Sequence, residues 1–379
     1  MMFLTWCINR GQALICYVES KKLYTINPQL NKESYKSDYK KYKRNLRKYG
    51  FSPSRRDFQV FRNYMIEGGS DPAFIIPAKL VHCYLTSILN PIPYNAYFED
   101  KNMFDKILPK EILPTTLFRR MDGKWYNHAY KLLDYTSVLK ELKELPEKSK
   151  VIIKPSKNSS SGKGVKVFEF VSGQWSNVIE KEKSLEESIL SVWGDKDIII
   201  QEVIKQHSFF SKLSPTAVST MRIVVYNSPV DGEIHIIWRG LRVGGEGSIV
   251  DNNHAGGLMF GLDEKGKIYP FGTDQCGNKY TIFNGIDYSE QTLVIPNFDK
   301  VIRLVKEITP RLLPHRFIAY DIAQSEEGKP IVIEYNLRGY GGWVCQFAGD
   351  YMLGDKTKEI LQYLSENKQR GGKVFYNIN

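Results

Sequence analysis

Two apolar runs that close on acids decide how this chain reads: Phe317-Ile318-Ala319-Tyr320-Asp321-Ile322 and, one short turn later, Pro330-Ile331-Val332-Ile333-Glu334-Tyr335-Asn336. Their β-branched and aromatic content predicts strands over Phe317–Ile322 and Pro330–Glu334. Period two along a strand sets Glu334 and Asn336 on one face, and an adjacent strand can present Asp321 beside them. Two carboxylates and an amide oxygen make a hard, oxygen-only site suited to Mg²⁺ carrying nucleotide phosphates. Without a metal the two acids would repel each other unless one were protonated or paired with a base. The plainer alternative is a strand-end acid pair with arginines nearby.

Working outward, Val151-Ile152-Ile153-Lys154-Pro155 reads as a buried strand that delivers a lysine into a hydroxyl- and glycine-rich loop, Ser156 to Gly164. In such a loop backbone N–H groups can approach phosphate oxygens while the lysine supplies fixed charge. The order is not that of a P-loop, and a second strand, Val165 to Phe168, follows directly. The loop is therefore a hairpin tip, and a solvent-exposed hairpin is the competing reading. Ile198-Ile199-Ile200 runs into Gln201-Glu202-Val203-Ile204. Such a connector can offer backbone groups to an adenine edge between apolar residues, or simply be a core strand.

Between these segments lie Arg222, Arg239, Arg242, Asp251-Asn252-Asn253-His254 and Arg338, with Gly244, Gly245, Gly247, Gly256 and Gly257 interspersed. Arginine suits two-pronged capture of carboxylate or phosphate. His254 reads either as a base or as a hydrogen-bonded structural histidine. Further strands are expected at Met221 to Tyr226 and Ile234 to Trp238. Helices are expected at Glu180 to Trp193, Phe298 to Leu312 and Thr357 to Leu364. Mixed elements with hairpin-like pairs predict an α+β protein, not a doubly wound parallel sheet.

Ahead of this part, Tyr35, Tyr39, Tyr42, Leu46 and Tyr49 recur at helical spacing with lysines opposite. Gly50 ends that helix and Ser52-Pro53-Ser54 starts another through Phe58, Phe61, Tyr64 and Met65, broken by Gly68-Gly69. A third runs from Leu80 to Leu89 and stops before Pro91. Lysine and arginine outnumber the acids 53 to 42 over 379 residues, a net +11 concentrated between Lys32 and Arg56. A basic segment of this kind binds nucleic acid, anionic lipid or acidic substrate, or is a solvated helix face. No nucleic-acid-binding motif accompanies it, so no nucleic-acid partner is expected. Five scattered cysteines without a CxxC pair indicate neither disulfide framework nor zinc site. The apolar start, Met1 to Val18, is interrupted at Asn9 to Gln12, and no other run reaches membrane length by eye. A cytoplasmic protein with no transmembrane segment is expected.

The ordered set of strand, Lys-Pro, glycine loop, acid-bearing connector, then Asp and Glu-x-Asn resembles the ATP-grasp superfamily. More narrowly, it resembles the sugar-transfer-associated ATP-grasp family. The resemblance runs from about Leu89-Asn90 to Asp355 and is carried by Asp100-Lys101-Asn102, Gln206-His207, Ser219-Thr220-Met221-Arg222, Leu241-Arg242-Val243-Gly244, Asp251-Asn252-Asn253 with Gly256-Gly257, Tyr320-Asp321-Ile322 and Ile333-Glu334-Tyr335-Asn336. It implies two α+β lobes clasping ATP behind a helical N-terminal region. The boundaries expected are 1–92 for the helices, 93–205 for the nucleotide-binding part and 206–379 for metal and acceptor sites.

By the same resemblance Lys101 and Lys154 contact nucleotide, and Ser160, Ser161, Gly162, Lys163 and Gly164 form the loop that covers phosphate. Glu202, Val203 and Ile204 meet adenine and ribose. Asp321, Glu334 and Asn336 hold Mg²⁺, with Mn²⁺ a substitute. Arg222, Arg242 and Arg338 would serve the reacting groups, and Arg239, Asn252, Asn253, His254, Tyr340 and Trp343 the substrate. A third acid that many members use for metal has no assigned counterpart. The implied activity joins a carboxylate to an amine through an acyl phosphate, releasing ADP and phosphate, on a sugar acid, amino sugar or amino acid in polysaccharide biosynthesis. A small-molecule kinase of the same fold and a non-catalytic nucleotide-binding scaffold are the alternatives.

Overall fold

A computed structural model describes residues 32–157, 162, 164–180, 184–251 and 256–371. The first described element is α1 (Lys32–Lys48), whose predicted tyrosine face turns inward: Tyr42 and Leu46 are fully buried. Gly50, at φ 71°, turns the chain where a side chain would be strained. The Ser54 hydroxyl then caps α2 (Arg55–Glu67) by accepting from the Asp57 N–H at 3.1 Å. Phe58 on α2 packs on Tyr42 with ring centroids 5.0 Å apart.

Short helical turns follow, and a helix runs through 78–89 with one wide turn over Val81–Leu85. The expectation that no run reaches membrane length needs amending here. Pro72–Leu89 has the length and a mean hydropathy of 1.4 that would suffice to cross a membrane, although 61% of it is buried inside the protein.

Two seven-stranded sheets make up the rest, and every neighbouring pair in them is antiparallel. The first holds β1 (Thr116–Met121), β2 (Lys124–Asn127), β3 (Leu132–Leu133), β4 (Lys150–Pro155), β5 (Lys166–Val171), β6 (Gln174–Asn177) and β7 (Ile198–Glu202), in the order β3-β2-β1-β7-β4-β5-β6. It packs Val151, Ile153, Phe168, Ile198 and Ile200 against Val138 and Leu142 of α3 (Tyr135–Lys143). β4 and β5 pair directly, so the loop between them is a hairpin tip, as its sequence predicts.

The second holds β8 (Thr220–Asn227), β9 (Ile234–Val243), β10 (Leu258–Leu262), β11 (Ile268–Thr273), β12 (Lys279–Tyr280), β15 (Phe317–Gln324) and β16 (Pro330–Asn336), in the order β12-β11-β10-β9-β8-β15-β16. A separate small hairpin, β13 (Ile282–Phe283) with β14 (Ile286–Asp287), lies between them in sequence. One face of the second sheet, with Ile223, Val225, Ile318 and Tyr320, covers Val301 and Val305 of α4 (Phe298–Ile308). The opposite face, with Val224, Tyr226, Phe317 and Ala319, is covered by α1, α2, the 78–89 helix, α5 (Gly342–Phe347) and α6 (Thr357–Glu366).

Asn90 joins the helical region to that sheet. Its amide donates to the Phe317 and Leu337 carbonyls, both at 2.7 Å, and to the Tyr340 hydroxyl at 2.8 Å. Its oxygen accepts from the N–H groups of Arg316 and Phe317 at 2.9 and 3.0 Å. A fully buried amide is tolerable because all its polar capacity is used.

Candidate active site

The register of the second sheet assembles the site. Glu334 on β16 stands opposite Asp321 on β15, and Asp321 stands opposite Arg222 on β8. Side chains paired across an antiparallel ladder share a face, so an acid, a second acid and an arginine lie in a row. Arg242 on β9 pairs with Thr220 on β8, one pleat further along the same face.

Arg222 donates from Nε to Asp321 Oδ1 at 2.6 Å and from Nη2 to Oδ2 at 3.0 Å. The Arg242 guanidinium also pairs with Asp321 Oδ1, and the Asn336 amide donates to Oδ2 at 3.2 Å. Burial alone would raise the Asp321 carboxyl, but the two guanidinium charges outweigh it and hold the acid well below the usual carboxylate range. Asp251, which accepts from the Thr220 hydroxyl, is shifted the other way by burial.

The first sheet faces this row across a cleft. Lys154, at the end of β4, is buried, and desolvation together with the nearby Lys101 charge lowers its ammonium to about 8, partly offset by Glu334. Lys101 reaches Glu334 Oε2 at 3.3 Å and is held to the first sheet by its backbone N–H on the Ser156 carbonyl at 2.9 Å. Lys157, where the glycine loop departs, bridges Asp100 at 3.2 Å and Asp197 at 2.9 Å. Gly164, at φ 75°, offers its carbonyl to the Trp193 indole at 2.9 Å, and a Cβ there would meet Pro155 at 3.0 Å.

Glu202, Val203, Ile204, Gly162, Tyr340 and Trp343 also line this cleft. Arg239 and Arg338 are not among its lining residues; Arg338 instead pairs with Glu99, its Nε donating at 3.1 Å. The expectation that both serve the site is not met by their placement. Side chains alternate along a strand, and Arg239, paired with Ile223, takes the face opposite to that of Arg222 and Arg242. Ser160, Ser161, Lys163, Asn252, Asn253 and His254 lie outside the described residues. Sequence reading missed the links Lys101–Glu334 and Lys157–Asp100, whose partners are distant in sequence or unremarkable in type.

Glu334 and Asn336 bring hard oxygen donors of the kind Mg²⁺ takes. No group of three or more His, Cys, Asp or Glu fit to hold a metal occurs among the described residues. Such a pair suits an ion that completes its shell with phosphate oxygens rather than with protein alone. Buried Arg242 Nε has no hydrogen-bond partner among the described residues, a donor suited to an anionic ligand.

The family described as sugar-transfer associated ATP-grasp matches residues 82–362. No curated protein matches the chain. Among solved structures the chain is similar to an L-amino acid ligase from Bacillus licheniformis, at 16% identity over 65% of this chain and 42% of that one, with a TM-score of 0.33. It is also similar to a D-cycloserine synthetase, at 10% identity over 87% of this chain and 95% of that one, TM-score 0.43. A D-alanine–D-alanine ligase from Bacillus anthracis matches at 16% identity over 72% and 69% of the two chains, TM-score 0.38. The chain thus spans less than half of the first of these three proteins.

Proposed function

The chain belongs to the sugar-transfer associated ATP-grasp family, and on that premise we propose that it is an ATP- and Mg²⁺-dependent ligase joining a carboxylate to an amine through an acyl phosphate. The observation that carries this reading is the row Glu334, Asp321, Arg222 on three adjacent strands, facing Lys154 and Lys101 across one cleft. A carboxylate is a poor electrophile, and phosphorylation makes it a good one. Such a transfer needs positioning and charge far more than covalent help from the protein.

In this reading Lys154 and Lys101 receive the nucleotide phosphates, and the 202–204 connector meets the base. Glu334 and Asn336 would hold the metal, and Asp321, here paired with Arg222 and Arg242, would be the third oxygen donor. Bound Mg²⁺ would supply neutralisation of the phosphate charge as it moves. Arg222 and Arg242 orient the acid and steady the acyl phosphate, and residues 206–379 hold the acceptor. The acid and amine are drawn from sugar acids, amino sugars and amino acids, in polysaccharide biosynthesis.

Incubation with ATP, Mg²⁺, a panel of such acids and hydroxylamine tests the scheme. A matching acid should yield a hydroxamate with stoichiometric ADP and phosphate. AMP and pyrophosphate would overturn the acyl-phosphate route, and a stable phosphorylated product would make the protein a kinase.

A further inference from the structure

The cleft encloses about 1430 Å³, where an ordinary small-molecule site occupies ~300–1,000 Å³. It continues past Arg222 and Arg242 along the same face of the second sheet. Met259 stands directly across from Arg242 on the β9–β10 ladder, and from there the face passes into the apolar core shared with α2, the 78–89 helix and α5. Phe61, Ile76, Val81, Trp343, Val344 and Met352 line this far part.

Gln346, Tyr340 and Asp57, polar side chains beside them, are already engaged with the protein's own backbone. The Gln346 amide accepts from the Ile76 N–H at 2.8 Å and donates to the Ile76 carbonyl at 3.3 Å. The Tyr340 hydroxyl donates to the Leu337 carbonyl at 2.6 Å, and the Asp57 carboxylate accepts from the Ala78 N–H at 3.0 Å. A polyhydroxylated body entering here would strip its hydroxyls of water and find few partners to replace it. An apolar body would carry no such penalty.

We infer that the acid activated by this protein carries a large apolar body, aryl or branched aliphatic as in an apolar amino acid, seated between the N-terminal helices and the first turn of α5. Its carboxylate points back to Arg222 and Arg242, a direction that rests on the ligase reading; the chamber's preference does not. The helical region before residue 90 is then a wall of the substrate chamber, and its apolar residues select the substrate. Within the acids proposed above, the same walls favour apolar amino acids over sugar acids.

Calorimetric titration of the full chain with ADP and Mg²⁺ present, using 3-phenylpropanoate and glucuronate as probes, tests the assignment. 3-Phenylpropanoate should bind at least tenfold more tightly. Ala78→Phe fills the chamber and Val81→Asp makes its wall polar; each should weaken that probe at least tenfold while ADP affinity stays within twofold. Val81 is half-buried, so its variant keeps the test alive if Ala78→Phe does not fold. Glucuronate binding as tightly as 3-phenylpropanoate overturns the inference, as does unchanged 3-phenylpropanoate binding in the folded variants. If 3-phenylpropanoate binds as expected yet yields no hydroxamate with ATP and hydroxylamine, the chamber assignment stands and the ligase reading falls.

Discussion

The two sheets are alike in strand number and pairing and opposite in how they carry charge. The first buries an ammonium, Lys154, beside a second cation and pays in a depressed affinity for protons. The second buries two guanidinium groups around one carboxylate, so most of its charge is paired before any ligand arrives. One side of the cleft carries desolvated positive charge, and the other carries positive charge already drawn onto a carboxylate. The same type of change should therefore affect the two sides with opposite sign.

The largest expected effect comes from breaking the paired side. Asp321→Asn leaves Arg222 and Arg242 without their counter-ion and should remove about 3–5 kcal/mol of stability along with turnover. Denaturant titration checks it; an unchanged midpoint would mean that the arginines do not depend on Asp321. Lys154→Met should also abolish turnover but raise the thermal midpoint, because it removes a desolvated charge. A lowered midpoint would erase the contrast between the sheets.

Glu334→Gln separates activity from stability. Glu334 is half-buried and its Lys101 partner stands 3.3 Å away, so stability should change by less than ~1 kcal/mol. Loss of an anionic ligand should still lower kcat by roughly 10²–10³-fold, the scale of removing one well-placed electrostatic group. Wild-type rates at limiting Mg²⁺ would remove Glu334 from the metal assignment.

The desolvated charge on the first sheet has a pH signature. The folded Lys154 releases its proton near 8, below its ordinary value, so between that pH and the ordinary lysine range the unfolded chain binds more protons. Stability should accordingly rise with pH across that window, and the rise should vanish in Lys154→Met. If Lys154 receives the nucleotide phosphates as proposed, binding should restore its charge with uptake of about half a proton at pH 8, readable by calorimetry in buffers of different ionisation enthalpy.

The smallest effect is expected far from both sheets. Lys40, Lys41, Arg44 and Lys48 are exposed, Lys43 is half-buried, and none lines the cleft. Neutralising all five should leave kcat and KM unchanged and shift stability by only a few tenths of a kcal/mol per site. A salt-dependent rise in KM would assign this face to attraction of an anionic substrate.

How much of this was legible in sequence follows from geometry. Alternation along a strand is local, so Asp321, Glu334 and Asn336 could be grouped before the fold was seen. Which strand lies beside which is not local. β8 and β9 sit on the far side of β15 from β16, and no spacing in the sequence says that Arg222 and Arg242 reach Asp321 while Arg239 and Arg338 do not reach the cleft. Strands β1 to β3, β6 and β10 to β14 went unrecognised: β1 carries two arginines, β10 and β11 are interrupted by glycine or proline, and the others are only two to four residues long. The wide turn at Val81–Leu85 was hidden inside a helix whose existence was plain. The contribution of the N-terminal helices to the cleft wall was invisible, because apolar residues facing a cavity and apolar residues facing a core obey the same periodicity.

Asn90 has a consequence for how the protein is made. Its five bonds all reach residues 316–340, and its amide contacts span 227 to 250 positions of sequence. At ribosomal speeds of ~5–20 residues per second, those partners emerge roughly 11–50 s after Asn90 itself. During that interval the nascent chain displays the apolar stretch Pro72–Leu89 with the sheet that will cover it not yet made. Slower translation of the last third should lengthen this exposure, and holding factors that shield apolar segments should matter more for this chain than for one whose helices pack on their immediate neighbours.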